Sequence, residues 1–142
     1  MIFVTGGTGL VGSHILLELS QKGEQFKALK RDSSSFSICE NIFKHYNAED
    51  LFEKINWVVG DVNDISSLTD GMQNCEQVLH CAAVVSFQSS DAELLKKVNI
   101  EGTLLHAFHQ SKIVFIHIPK TAGVSILKAI YGEVSLESHR SY

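Results

Sequence analysis

Residues 2–23 read Ile2-Phe3-Val4-Thr5-Gly6-Gly7-Thr8-Gly9-Leu10-Val11-Gly12-Ser13-His14-Ile15-Leu16-Leu17-Glu18-Leu19-Ser20-Gln21-Lys22-Gly23. The run opens with four β-branched or aromatic residues, the signature of a short buried strand. It then breaks into glycines spaced G-x-x-G-x-x-G at Gly6, Gly9 and Gly12. From Ser13 an apolar-faced, capped helix is expected, ending at Gly23 with Lys22 in its last turn. Glycines between a strand and a helix let the backbone turn sharply. They also admit a phosphate to the N–H groups at the helix N-terminus, where the dipole favours negative charge.

The same alternation continues outward. Phe26–Leu29 reads as a second strand, Ser33–Ser35 as a loop, and residues 48–55 as helical. Asn56–Gly60 is a third strand, Asp64 caps a short helix through Met72, and Gln77–Ala83 is a fourth strand. A long helix is expected from Asp91 to about Gln110, then an apolar strand Ile113–Ile118, Pro119, and a helix from about Gly123. Strand–helix alternation of this kind predicts an α/β, doubly wound parallel sheet of about five strands with helices on both faces. Its crevice is expected at the strand C-termini where the winding reverses. No internal repeat and no linker is evident.

Composition narrows the class further. The 142 residues are 44% hydrophobic and 20% charged, with a mean hydropathy of +0.07, which excludes a disordered chain. No apolar run reaches the roughly 18 residues of a membrane span, and no basic, apolar leader opens the chain, so neither a membrane partner nor secretion is expected. Cys39, Cys75 and Cys81 are odd in number and lack CxxC spacing, which suits a reducing cytoplasm. Residues 1–110 carry 8 Lys+Arg against 14 Asp+Glu, whereas residues 111–142 carry 4 against 2. Neither part has the basic density of a nucleic-acid binder. His80, His106 and His109 lack the converging ligands that zinc requires, so no metal is expected.

Four ordered motifs carry a family resemblance: TGGTGLVGSH at 5–14, GDVND at 60–64, GMQNCEQVLHCAAVVSF at 71–87 and VNIEGT at 98–103. Over about residues 1–110 the chain resembles the extended short-chain dehydrogenases/reductases, which include nucleotide-sugar epimerases, dihydroflavonol reductases and 3β-hydroxysteroid dehydrogenases. The resemblance implies a Rossmann-type NAD(P)-binding domain whose cofactor turn comprises Gly6, Thr8, Gly9, Leu10, Val11 and Gly12. It implies that Asp61 and Val62 flank the adenine and that Cys81, Ala82 and Ala83 run beside the cofactor. Asn99 matches the asparagine of the family's next helix. At the end of the second strand stand Lys30 and Arg31, where a basic side chain accommodates the 2′-phosphate of NADP and an acidic one the ribose hydroxyls of NAD. NADP is therefore favoured over NAD, with Asp32 as an alternative ribose partner.

The chain departs from that family at the catalytic pair. A tyrosine with a lysine four residues on is required, so that one helical turn brings both to the same site. Four residues beyond Tyr46 is Asp50, four beyond Tyr131 is Ser135, and Tyr142 is the last residue. No substrate lobe is recognisable, so the substrate is unassigned and little or no turnover is expected of these residues alone. The stretch from Lys112 to Ile126, KIVFIHIPKTAGVSI, resembles instead the phosphosulfate-binding start of carbohydrate sulfotransferases. That resemblance implies an alternative ligand, phosphoadenosine phosphosulfate, held by Lys120, Thr121, Gly123 and Ser125; Val124 departs from the motif's usual serine or threonine. The expected organisation is a partial Rossmann domain at 1–110 and a strand–loop–helix tail at 111–142 packed on the same sheet, with a join near Ser111. A non-catalytic nucleotide-binding module is the remaining alternative.

Overall fold

The computed structural model describes residues 1–84, 86, 88–101 and the backbone of 112–115. Along each strand, successive side chains point to opposite faces, and this period sorts the apolar residues into two cores. On β1 (Ile2–Thr5), Ile2 and Val4 enter one core and Phe3 the other. On β2 (Phe26–Lys30), Phe26 and Ala28 separate from Leu29; on β3 (Asn56–Val59), Trp57 separates from Val58. On β4 (Gln77–His80), Leu79 separates from Val78.

The first core is covered by α1 (Leu10–Gln21), α2 (Ser37–His45) and α3 (Glu49–Phe52). The second is closed by α4 (Ile65–Gly71) through Leu68 and the adjoining Met72. Phe43 in the first core and Phe3 in the second are 0% exposed, each contributing about 2–3 kcal/mol by burial.

All strands are parallel, in the order β3-β2-β1-β4-β5, with β5 spanning Lys112–Phe115. The chain winds from β1 outward through β2 to β3, then returns to the other side of β1 for β4 and β5. This is the doubly wound, Rossmann-like arrangement, and the reversal lies between β1 and β4. The β5 strand pairs with β4 in the register Gln77↔Lys112 to His80↔Phe115. Residues 116–118 of the expected strand, Pro119 and the helix expected from Gly123 lie outside the described residues.

Two local expectations are corrected and one helix is added. Helix α1 begins at Leu10, not Ser13, and its N-cap is Gly9 with no side-chain cap. Ser13 bonds backward from inside the helix, its hydroxyl donating to the carbonyls of Gly7 (2.9 Å) and Gly9 (2.7 Å). Helix α2 falls on a stretch to which the sequence reading assigns no element; Cys39, Ile42 and Phe43 are buried on one of its faces at three- and four-residue spacing. The helix expected from Asp91 is composite among the described residues: a 3-10 turn Ser89–Asp91, then α5 (Ala92–Lys96), then a π turn Lys97–Glu101.

Asp64 caps α4 as expected, its carboxylate accepting from the backbone N–H groups of Ser66 (3.1 Å) and Ser67 (3.3 Å). Hydrogen bonds from Ser67 and then Ser66 hold this carboxyl below its ordinary value. A depressed folded value means the cap contributes fully above the unfolded carboxylate range and is lost as pH falls through the folded value. Asp64→Ala should therefore lower the thermal midpoint by a few degrees at neutral pH, with Asp64→Asn lowering it less. Circular dichroism melts across pH should show the gap between wild type and Asp64→Ala closing in acid; a gap independent of pH would refute the capping role.

Candidate functional site

The glycine turn connects β1 to α1 at the reversal of winding. Gly6 takes a φ of +73°, a conformation that side-chain-bearing residues rarely adopt. A Cβ on it would lie 2.5 Å from the backbone nitrogen of Ala82, just past β4. Gly9 closes the turn by donating its N–H to the Gly6 carbonyl at 3.0 Å. Gly12 sits where α1 crosses the loop, and a Cβ there would come within 2.1 Å of the Gly6 oxygen. Both packing constraints require glycine at those two positions whatever the chain binds.

Gly9 differs. Its backbone is extended, with φ −86° and ψ 169°. A Cβ there would meet nothing closer than the Gly6 oxygen at 3.4 Å. Protein packing imposes no glycine at this position, and it faces a cleft.

Four loops, each following a parallel strand, line that cleft. The glycine turn contributes Gly6, Thr8 and Gly9; the end of β2 and its loop contribute Leu29, Lys30, Arg31 and Ser34. Gly60, Asp61, Val62 and Asn63 follow β3, and Cys81, Ala82, Ala83 and Val84 follow β4, with Val98 closing one side. The structure thus brings together most of the residues singled out in the sequence. Leu10, Val11 and Gly12 do not line the cleft: Leu10 and Val11 are exposed on the first turn of α1, and Gly12 packs against Gly6. Lys120, Thr121, Gly123 and Ser125 lie outside the described residues, as do His106 and His109.

Sequence reading missed Leu29, Ser34, Gly60, Asn63, Val84 and Val98. Ser34 and Asn63 had a local signal, since each is a small polar residue within three positions of a residue already singled out. The Ser34 hydroxyl accepts from the Arg31 N–H at 3.1 Å and the Arg31 carbonyl accepts from the Ser34 N–H at 3.0 Å, which fixes the turn after β2.

Asp61 is similarly fixed. Its Oδ1 accepts from the Asn63 backbone N–H (2.8 Å) and from Asn63 Nδ2 (2.9 Å). The remaining Asn63 oxygen is buried and has no hydrogen-bond partner among the described residues. A buried acceptor of this kind is costly unless a donor reaches it.

On the β4 side the wall is held from behind. Asn99, 2% exposed, accepts from the Val84 N–H and donates to the Val84 carbonyl, both at 2.8 Å. This two-point clamp anchors the end of the Cys81–Val84 segment to the π turn. Burial pushes the Cys81 thiol up to about 12, so it is an apolar wall and not a nucleophile at neutral pH. His80 is buried, its Nδ1 2.7 Å from the hydroxyl of buried Thr5 on the neighbouring strand. Among the described residues, no three His, Cys, Asp or Glu side chains form a group able to hold a metal ion.

Residues 2–124 match the model of the NAD dependent epimerase/dehydratase family. The chain belongs to this family. A dihydroflavonol 4-reductase-like protein of Synechocystis sp. is 40% identical over 101 residues, an alignment covering 71% of this epimerase/dehydratase-family chain and 26% of that protein. The chain spans about a quarter of the length of the curated relatives it matches.

Solved structures agree on the fold. A short-chain dehydrogenase/reductase superfamily protein from Agrobacterium tumefaciens, crystallised with bound NAD, superposes with a TM-score of 0.61 at 25% identity over 81% of this chain and 31% of that one. A UDP-glucose-4-epimerase from Stenotrophomonas maltophila, with bound NAD and formylated UDP-arabinopyranose, gives 0.56 at 27% identity over 73% and 31%. Among the described residues of this epimerase/dehydratase-family chain, no helix is long and apolar enough to cross a membrane.

Proposed function

We propose that this chain binds NAD(P) in the cleft at the C-terminal edge of its sheet, with NADPH preferred to NADH, and that these 142 residues alone give little or no turnover. The observation that carries the reading is Gly9, a glycine that packing does not require, facing the cleft beside a helix N-terminus. A pyrophosphate needs that bare backbone. In this reading residues 1–110 form the dinucleotide-binding portion, and β5 (Lys112–Phe115) extends the same sheet.

Gly6, Thr8 and Gly9 hold the pyrophosphate, with Leu10, Val11 and Gly12 supplying the start of the helix behind it. Asp61 and Val62 flank the adenine, Cys81, Ala82 and Ala83 form the apolar wall, and Lys30 with Arg31 receives a 2′-phosphate. The bound nicotinamide would supply hydride transfer; this chain has no Tyr-x-x-x-Lys pair to move the accompanying proton. The unpaired Cys39, Cys75 and Cys81 suit a reducing cytoplasm.

Calorimetric titration with NADPH, NADH and adenosine 3′,5′-bisphosphate tests this. NADPH should bind more tightly than NADH, and Arg31→Ala should lower NADPH affinity about tenfold while leaving NADH nearly unchanged. Binding of the bisphosphate alone would reverse the reading in favour of the phosphosulfate-type tail.

A further inference from the structure

We infer that Phe36 is a positioning residue for cofactor specificity: its ring holds the Lys30 ammonium at the cleft and, through it, sets the preference for a dinucleotide bearing a 2′-phosphate. This rests on the NAD(P) reading above.

Lys30 ends β2, and its main chain is pinned where its carbonyl accepts the Gly60 N–H at 2.9 Å. Its side chain is a flexible four-carbon stem, and nothing in β2 itself fixes where the ammonium goes. In the structure Nζ lies 5.1 Å from the centroid of the Phe36 ring. Among the described residues no carboxylate lies within ion-pair distance of it, and the ion pairs there are Lys22–Glu18 and Lys54–Asp50. Lys30 lines the cleft, and its ammonium is held by a ring and not by an anion.

The ring is itself immobilised. Phe36 packs at 4.9 Å against Trp57 and at 5.9 Å, edge to face, against Phe52, both of which belong to the first core. The turn after β2, closed by Arg31 and Ser34, brings Phe36 back beside the end of that strand as the N-cap of α2.

The choice of an aromatic partner has a chemical consequence. A carboxylate would hold the ammonium more firmly but would cancel the charge that an incoming phosphate must meet. The negative face of a ring orients a cation while leaving its net charge intact. Lys30 is then pre-placed and unneutralised, so less side-chain freedom is lost when the 2′-phosphate binds. NADH, which has hydroxyls there, gains nothing from the arrangement.

The test uses the full chain and the dissociation constants of NADPH and NADH for wild type, Phe36→Leu, Lys30→Gln and the double variant. Phe36→Leu should weaken NADPH about twofold to fivefold and leave NADH unchanged. The loss should vanish in the Lys30→Gln background, because the ring acts only through the ammonium. Placing 3,4,5-trifluorophenylalanine at position 36 keeps the ring's packing but drains its negative face, and should reproduce the NADPH-specific loss even if the leucine variant fails to fold. Equal losses for both cofactors, or a loss that persists without Lys30, would overturn the inference while sparing the cofactor reading. A wild-type chain that binds NADH as tightly as NADPH would overturn the cofactor preference itself, before any variant is made.

Discussion

Gly9→Val is expected to lower NADPH affinity by at least about 100-fold, close to 3 kcal/mol, while the protein remains folded. The two halves of this expectation have separate causes. Gly9 has an extended backbone that valine adopts readily, and its nearest obstacle is the Gly6 oxygen at 3.4 Å from a Cβ. Gly9→Ala should accordingly leave stability unchanged, or raise it by up to about 1 kcal/mol through reduced freedom of the unfolded chain. The branched side chain of valine would instead fill the place where a pyrophosphate meets the backbone. Calorimetry gives the affinity and a urea melt the stability. Lys120→Ala, in the stretch that resembles a phosphosulfate-binding start, should leave NADPH affinity nearly unchanged. An equally large loss there would mean the tail is built into the dinucleotide site.

The parts of the fold legible in the sequence were those set by period and punctuation. Phe3 lies between Ile2 and Val4, and that alternation alone assigns them to opposite cores. Asp64, two residues before its first bonded N–H, announces α4. Helix α2 carried the period of Cys39, Ile42 and Phe43 but little helix propensity. Its sequence, SICENIFKH, mixes serine, cysteine, asparagine and isoleucine, all indifferent helix formers. It is held by burying Cys39, Ile42 and Phe43 against the first core, which local propensity does not report. The start of α1 was misread because Ser13 looks like a cap, whereas its hydroxyl serves the loop carbonyls behind it.

The site divides in the same way. Residues inside contiguous motifs, such as Asp61 and Ala82, could be found by inspection. Phe36 could not, since its link to Lys30 exists only once β2 and the N-terminus of α2 have been brought together. Asn99 was visible as a residue but not as a clamp, because its partner Val84 lies fifteen positions away along the chain.

The second large effect falls on the fold. Gly12→Ala would set a methyl carbon 2.1 Å from the Gly6 oxygen and 2.6 Å from the Gly6 carbonyl carbon. Both atoms are backbone, in a turn whose Gly6 is held at φ +73° against Ala82. No flexible side chain is available to yield, so relief requires α1 to move away from β1. Leu16 and Leu17, on the next turns of that helix, are buried in the first core and would be drawn out with it. Overpacking of this kind costs about 1–3 kcal/mol when side chains can adjust, and more when only backbone can. With a native stability of about 5–15 kcal/mol for a domain, Gly12→Ala should shift the urea midpoint sharply downward and reduce the yield of folded protein. Dinucleotide binding would be lost as well, but in parallel with stability, unlike the Gly9 variants. A Gly12→Ala protein with a wild-type urea midpoint would show that α1 can stand off from the turn, and that the close approach of Gly12 to Gly6 does not hold the helix on the sheet.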